Sequence, residues 1–201
     1  MSDVLVGLDL GQRRDHSAIA VVERERVGWQ YSGPRTLCVR YLQRIPLGTS
    51  YTKVVQRVGE VVWNPLLRGR SRVVVDATGV GGPVVDLLKA GRLDCPLTAV
   101  MITSGDRAHN TGDRWHVPKR DLMTNLLVLL EARELKIPKG LADAGALVRE
   151  LEQIEMRQAG PGKVQMGAEG PGEHDDLVIA VALACWRAGL KEIGFGTRRL
   201  I

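Results

Sequence analysis

Two aspartates stand at the ends of short apolar runs: Val4-Leu5-Val6-Gly7-Leu8 leads to Asp9, and Val73-Val74-Val75 leads to Asp76. A third acidic group, Glu173-His174-Asp175-Asp176, directly precedes the apolar run from Leu177 to Trp186. A carboxylate at the end of a buried strand costs free energy unless an arginine, a backbone nest or a cation compensates it. Three such sites, brought together by a fold, make an oxygen-rich cluster suited to Mg²⁺ or Mn²⁺. In a two-metal site the cations lie about 3.5 to 4 Å apart, one activating the attacking water and the other stabilising the departing oxygen, which is why several acids are needed. The chemistry such a cluster serves is phosphoryl transfer. Plainer readings stand beside it: Asp9 and Asp76 as turn formers that close their strands, and Asp175-Asp176 as a complement to a helix dipole.

The elements that must position these residues follow from periodicity. Val4 to Leu10 and Ser17 to Val22 read as two strands joined by a polar turn, and Thr36 to Ile45 alternates as a third, so the chain opens as an antiparallel meander. Residues 51 to 63 switch to helical spacing through Val54, Val55, Val58, Val61 and Val62. Arg72 to Asp76 is again a short buried strand, Pro83 sits just inside a helix over Val84 to Leu88, and Leu97 to Ile102 is a fifth strand. Strand, helix, strand implies a parallel pair. Lys119 to Leu130 and Leu141 to Ile154 read as helices that pack on the sheet, and Asp175 to Ala188, rich in Ala and Val, as a final helix able to approach it closely. Between them, Gln158 to Gly172 carries five Gly and two Pro around Lys163-Val164-Gln165-Met166, which predicts a flexible hairpin or loop.

With 201 residues, 44% hydrophobic and 25% charged, the chain is long enough to bury a substantial core without a disulfide scaffold. The expectation is one domain spanning 1–201. No apolar stretch has the length of a membrane span and no basic region with a cleavage site opens the chain, so no membrane partner and a cytoplasmic location are expected. Cys38, Cys95 and Cys185 lie far apart in apolar surroundings without CxxC spacing and read as buried reduced thiols. The formal charge of +5 is asymmetric: residues 1–72 carry 12 Lys/Arg against 6 Asp/Glu, and the remainder is close to neutral. A polyanion is consistent with that asymmetry. Three Tyr, four Trp and one Phe leave little surface for stacking single-stranded bases.

The segments GLDLGQRRDHSAIAVVE, VVVDATGVGGPVVDLL, VPKRDLMTNLLVLLEARELKIP, LVRELEQIE and EHDDLVIAVALACW, in this order and spacing, resemble the nuclease domain of phage terminase large subunits from about residue 4 to 189. The resemblance implies a ribonuclease H-like α/β fold, a mixed sheet with a three-stranded antiparallel start followed by parallel strands, flanked by helices. It implies an endonuclease that cuts concatemeric viral DNA during genome packaging with Mg²⁺ or Mn²⁺. By motif, Asp9, Asp76, Asp175 and Asp176 correspond to the catalytic, metal-binding acids, with Asp176 the preferred ligand of the last pair. Asp15 matches an additional acidic position near the metals, or is an exposed turn residue. His174 either touches the site or neighbours the ligands at the start of the helix. Lys119 and Arg120, opening a helix after a Val-Pro pair, either hold phosphates of double-stranded DNA or form a solvated face, and Arg13, Arg14 and Lys163 are further DNA-binding candidates.

Packaging terminases join this domain to an ATPase motor, yet the chain has no GxxxxGK followed by Ser or Thr, and Gly79-Val80-Gly81-Gly82-Pro83 lacks the lysine. The expected partners are therefore double-stranded DNA and a separate or excised motor domain, with portal or small-terminase components. Three rivals remain at this stage. A Holliday-junction resolvase shares size, fold and an acidic tetrad; a non-catalytic DNA-binding protein of nuclease fold needs no intact cluster. A sugar-kinase or chaperone-like ATPase also opens with GLDLG, but 201 residues are too few for its usual two domains.

Overall fold

The computed structural model describes residues 3–11, 15–25, 36–79, 81–158, 164–167 and 174–190. The apolar opening forms β1 (Asp3–Asp9), followed by β2 (Ser17–Glu25) and β3 (Thr36–Ile45), which pair as the expected antiparallel meander. A bulge between Val21 and Val22 shifts the register of β2 against β3. Next come α1 (Tyr51–Val62), β4 (Ser71–Asp76), α2 (Gly81–Ala90) and β5 (Leu97–Thr103). β4 lies parallel to both β1 and β5, and α2 makes the crossover between β4 and β5.

Two short pieces escape a periodicity reading: β6 (His109–Asn110) and β7 (Arg114–Pro118), the latter parallel to β5. The sequence Arg-Trp-His-Val-Pro shows no clean alternation, and its proline leads at once into α3 (Lys119–Glu131). After β8 (Leu135–Lys136), α4 covers Ala144–Gln153 and begins later than the Leu141 the apolar spacing suggests. Turn hydrogen bonds from Leu141 N–H to Pro138 O and from Ala144 N–H to Leu141 O occupy the intervening residues. β9 (Glu155–Gln158), which precedes the segment expected to be a hairpin or loop and shares only Gln158 with it, pairs antiparallel with β10 (Val164–Gly167) inside it; the residues between them lie outside the described part. The chain closes with α5 (Asp176–Gly189).

The main sheet has the order β6-β7-β5-β4-β1-β2-β3-β8, eight strands among the described residues. Strand alternation sends Val4, Val6, Leu8, Val73 and Val75 into a core with Val54, Val58, Val84 and Leu88 of α1 and α2. Leu5, Val74, Val39 and Leu42 face the other way, into a core built on α3, α4 and α5. The mixed α/β sheet flanked by helices agrees with the expected ribonuclease H-like class. Cys38 and Cys185 are buried free thiols, whereas Cys95 is only partly covered. No helix among the described residues is long and apolar enough to cross a membrane.

One contact fixes the depth of α5. Gly7 of β1 lies so close to the helix that a Cβ built on it would stand 1.9 Å from the carbonyl oxygen of Ala180. At the opposite end of the strand, the Arg24 guanidinium donates to the carbonyl of Ala188 and pairs with Asp3. α5 therefore runs antiparallel to β1, with its N-terminus beside Asp9.

Candidate active site

β1 and β4 are parallel neighbours, so their carboxyl ends share one edge of the sheet. The register that sets Leu8 against Val75 brings Asp9 level with Asp76. By alternation both belong to the face of Leu5, Gly7 and Val74, the face covered by α5. That helix supplies Asp176 in its first turn and Asp175 as the residue just before it. β7, also parallel, delivers Lys119 at the start of α3 to the same edge, where its Nζ pairs with Asp175 Oδ2 at 2.6 Å. The fold thus gathers Asp9, Asp76, Asp175, Asp176 and Lys119 from four separate stretches of sequence.

The electrostatics are those of crowded, partly desolvated acids. Burial pushes the Asp9 carboxyl well above its ordinary pKa, and the charges of Asp76, Asp176 and Asp175 push it further against the opposing Lys119. Burial also raises Asp76, although hydrogen bonds from Thr78 hold it back. Asp76 Oδ1 accepts from the Thr78 amide at 2.8 Å and hydroxyl at 2.5 Å, and that hydroxyl accepts from the Ile102 amide at 2.8 Å. The result is a short chain of bonds that orients Asp76 from β5. Asp176 is raised by burial, with His174 and Arg44 opposing.

These residues fit a divalent cation in charge and donor type. Asp176 is 4% exposed, and its Oδ2 is buried without a hydrogen-bond partner. An orphaned anionic oxygen beside other acids is a costly arrangement that a hard cation relieves. As the side chains stand, no three His, Cys, Asp or Glu among the described residues close on one ion position. Lys119 on Asp175 and Thr78 on Asp76 hold two of the acids in metal-free pairings, so coordination requires these carboxylates to turn.

The remaining candidates are placed differently. Asp15 is exposed in the turn between β1 and β2. His174 does approach the cluster, with Nδ1 3.7 Å from Asp176 Oδ2, and its ring meets His16 edge-on at 5.2 Å between centroids. Arg120 donates to the Asp106 carbonyl and lies 3.6 Å from Asp121 Oδ1. Arg13, Arg14 and Lys163 lie outside the described residues. Arg40 pairs with Glu23 and Glu25, Arg57 with Glu60, and Arg70 with Glu23, all inside residues 1–72, so these pairs leave the net basic charge of that segment unchanged.

Sequence reasoning missed Thr78, Arg44 and Glu150. Arg44 lies two residues beyond inward-facing Leu42, and Glu150 three beyond buried Leu147, so each is a charge on an apolar face. That mismatch was the available signal. Burial pushes the Glu150 carboxyl up to about 7 despite the Val178 amide and Arg44.

Four raised carboxyls set the pH dependence of stability. Each holds its proton more tightly in the folded chain, so its stabilisation is complete below the unfolded pKa and is lost as pH rises through the folded value. For Glu150 the window runs from 4.5 to about 7, and Asp9, Asp76 and Asp176 act in the same sense. The metal-free protein is expected to melt several degrees higher near pH ~5 than near pH ~8. Saturating Mn²⁺ should raise the melting temperature most at the alkaline end, where the site is fully ionised. Calorimetry in chelator and in Mn²⁺ checks both; a metal-free melting temperature that climbs across this range contradicts the assignment.

With the geometry in place, solved structures of similar fold decide the architecture. The large terminase nuclease from thermophilic phage G20c with bound magnesium matches at TM-score 0.63 and 23% identity, over 92% of this chain and 82% of that one. The nuclease domain of the large terminase subunit of bacterial virus Sf6 matches at TM-score 0.63 and 16% identity, over 91% and 87% of the two chains. The fold is that of the large terminase nucleases. The human cytomegalovirus terminase nuclease domain, Mn soaked, shares the fold at TM-score 0.56 and 13% identity, over 92% and 82%. No family model and no curated protein matches the chain. At these identities the terminase-nuclease likeness is one of architecture, and it spans nearly the whole chain.

Proposed function

We propose that this chain is a divalent-metal-dependent endonuclease acting on double-stranded DNA, of the kind that cuts concatemeric viral DNA during genome packaging. The observation that carries the reading is the gathering of Asp9, Asp76, Asp175 and Asp176 at one edge of the terminase-nuclease sheet, with their charges mutually destabilising. Asp9, Asp76 and Asp176 are the residues that would hold Mg²⁺ or Mn²⁺, with Asp175 released from Lys119 as a further ligand. Bound there, a pair of such ions supplies activation of the attacking water and charge stabilisation of the departing oxygen. Thr78 holds the Asp76 carboxylate through Oδ1 at the edge of the site until coordination turns it, and the N-terminus of α5 adds its positive dipole end to a locus that receives an anionic phosphate. Lys119, once displaced from Asp175, would contact a backbone phosphate; Arg120, Arg13, Arg14 and Lys163 are the further proposed DNA contacts.

As support, solved nucleases of this fold carry magnesium or manganese. The motor of packaging is a partner of this reading, since the chain has no phosphate-binding loop of the motor type. The proposed single domain, 1–201, works beside that motor and the portal and small-terminase components, in the cytoplasm of an infected cell.

Supercoiled plasmid is the substrate for the test. Nicking and linearisation are expected only with Mn²⁺ or Mg²⁺, and binding is expected to weaken steeply with salt. A duplex and a four-way junction of equal length should compete equally in a gel shift. Strong junction preference would replace the reading by a resolvase, and retained DNA binding without cleavage in either ion would replace it by a non-catalytic binding protein.

A further inference from the structure

The side chain that caps α5 comes from another helix. Asp175, the residue before α5, makes no side-chain cap bond. The Val178 amide, one of the first N–H groups that lack an intrahelical acceptor, donates instead to Glu150 Oε2 of α4 at 3.0 Å. Glu150 is 3% exposed, and its other oxygen accepts from Arg44 Nη2. On the same guanidinium, Arg44 Nε lies 3.8 Å from Asp176 Oδ2, too far for a hydrogen bond, and both atoms are buried without partners. The main chain of Arg44 is itself fastened, its N–H donating to Asp143 Oδ2 at 2.9 Å.

A half-buried guanidinium beside two buried carboxylates bonds to whichever draws it harder, and here Arg44 bonds to Glu150. We infer that Glu150 is a positioning residue that holds Arg44 off Asp176 and takes over the cap of α5, so that Asp176 Oδ2 stays open to a cation. Both jobs fall to one side chain because α4 crosses beside the first turn of α5. The inference rests on the metal-site reading above, and it assigns Glu150 no contact with substrate or metal.

The test is Mn²⁺ binding to the full chain near pH ~8, where Glu150 is ionised, followed by the loss of the free-ion signal in electron paramagnetic resonance, with circular dichroism as the fold control. Glu150→Gln keeps the size and the capping oxygen but removes the charge that retains Arg44. Its Mn²⁺ dissociation constant should rise about tenfold or more at unchanged fold, because Arg44 then turns to Asp176. Adding Arg44→Gln to that variant should bring affinity back to within about threefold of the parent. A merely structural cap predicts neither effect, so an indifferent Glu150→Gln that folds overturns the inference. Should Glu150→Gln fail to fold, Arg44→Gln alone decides: binding at least as tight as the parent supports the inference, and weaker binding overturns it. Asp76→Asn separates the layers. Parental binding that ignores Asp76 overturns the metal-site reading and this inference together, whereas binding that needs Asp76 but not the Glu150 charge overturns the inference alone.

Discussion

Asp76→Asn is expected to abolish DNA cleavage while leaving a well-folded protein. The amide oxygen of Asn still accepts from the amide and hydroxyl of Thr78, so the local turn survives. The substitution also removes a carboxylate that burial strains, which makes the metal-free chain no less stable. It takes away a negative charge from a site proposed to hold two close cations, and Lewis-acid stabilisation is worth several kcal/mol, so the rate should fall on the order of 10³-fold or more. Plasmid cleavage and Mn²⁺ titration on the same preparation measure the two effects. Cleavage equal to that of the parent would remove Asp76 from the mechanism.

Gly7→Val is expected to cost the fold itself. A Cβ at this position meets the Ala180 carbonyl oxygen at 1.9 Å and the Ala184 amide nitrogen at 3.2 Å, and neither is the mobile end of a side chain. Helix α5 would have to lift off β1, opening the core lined by Leu5, Val74 and Leu183. Overpacking alone costs about 1 to 3 kcal/mol, and displacing a central helix costs more, against a total stability of about 5 to 15 kcal/mol. Gly82→Ala is the contrasting control, since nothing lies within 4 Å of a Cβ there. Urea unfolding should show Gly7→Val insoluble or displaced to a much lower midpoint and Gly82→Ala near the parent; a parental midpoint for Gly7→Val would refute the close approach.

The meander, the parallel β4 and the final helix were legible because apolar periodicity reports directly on strands and helices with one buried face. Thr36–Ile45 agrees in both bounds, and α1 and α3 differ from the expected spans by one residue each. β6, β7 and β8 were not legible: they are short or lack alternation, and their pairing with distant strands supplies what local sequence does not. The acids could be picked out singly, but their convergence depends on register, which sets Asp9 level with Asp76, and on the direction of α5. Arg44 and Glu150 show the reverse case. Each stands out on its own element only as a charge on an apolar face, and only the crossing of β3, α4 and α5 makes them partners.

The order of the sheet also governs how the acids meet thermal motion. Asp9 and Asp76 sit on the two innermost strands, β1 and β4, with three strands beyond them on either side, while the outermost β6 and β8 have two residues each. Fraying begins at such margins, and amide protons in the middle of a covered sheet exchange with solvent only when the whole unit opens. The acids from these strands are thus insulated from local openings that loosen the periphery. The spacing of their strands persists for as long as the native state does, whatever opens at the two-residue margins.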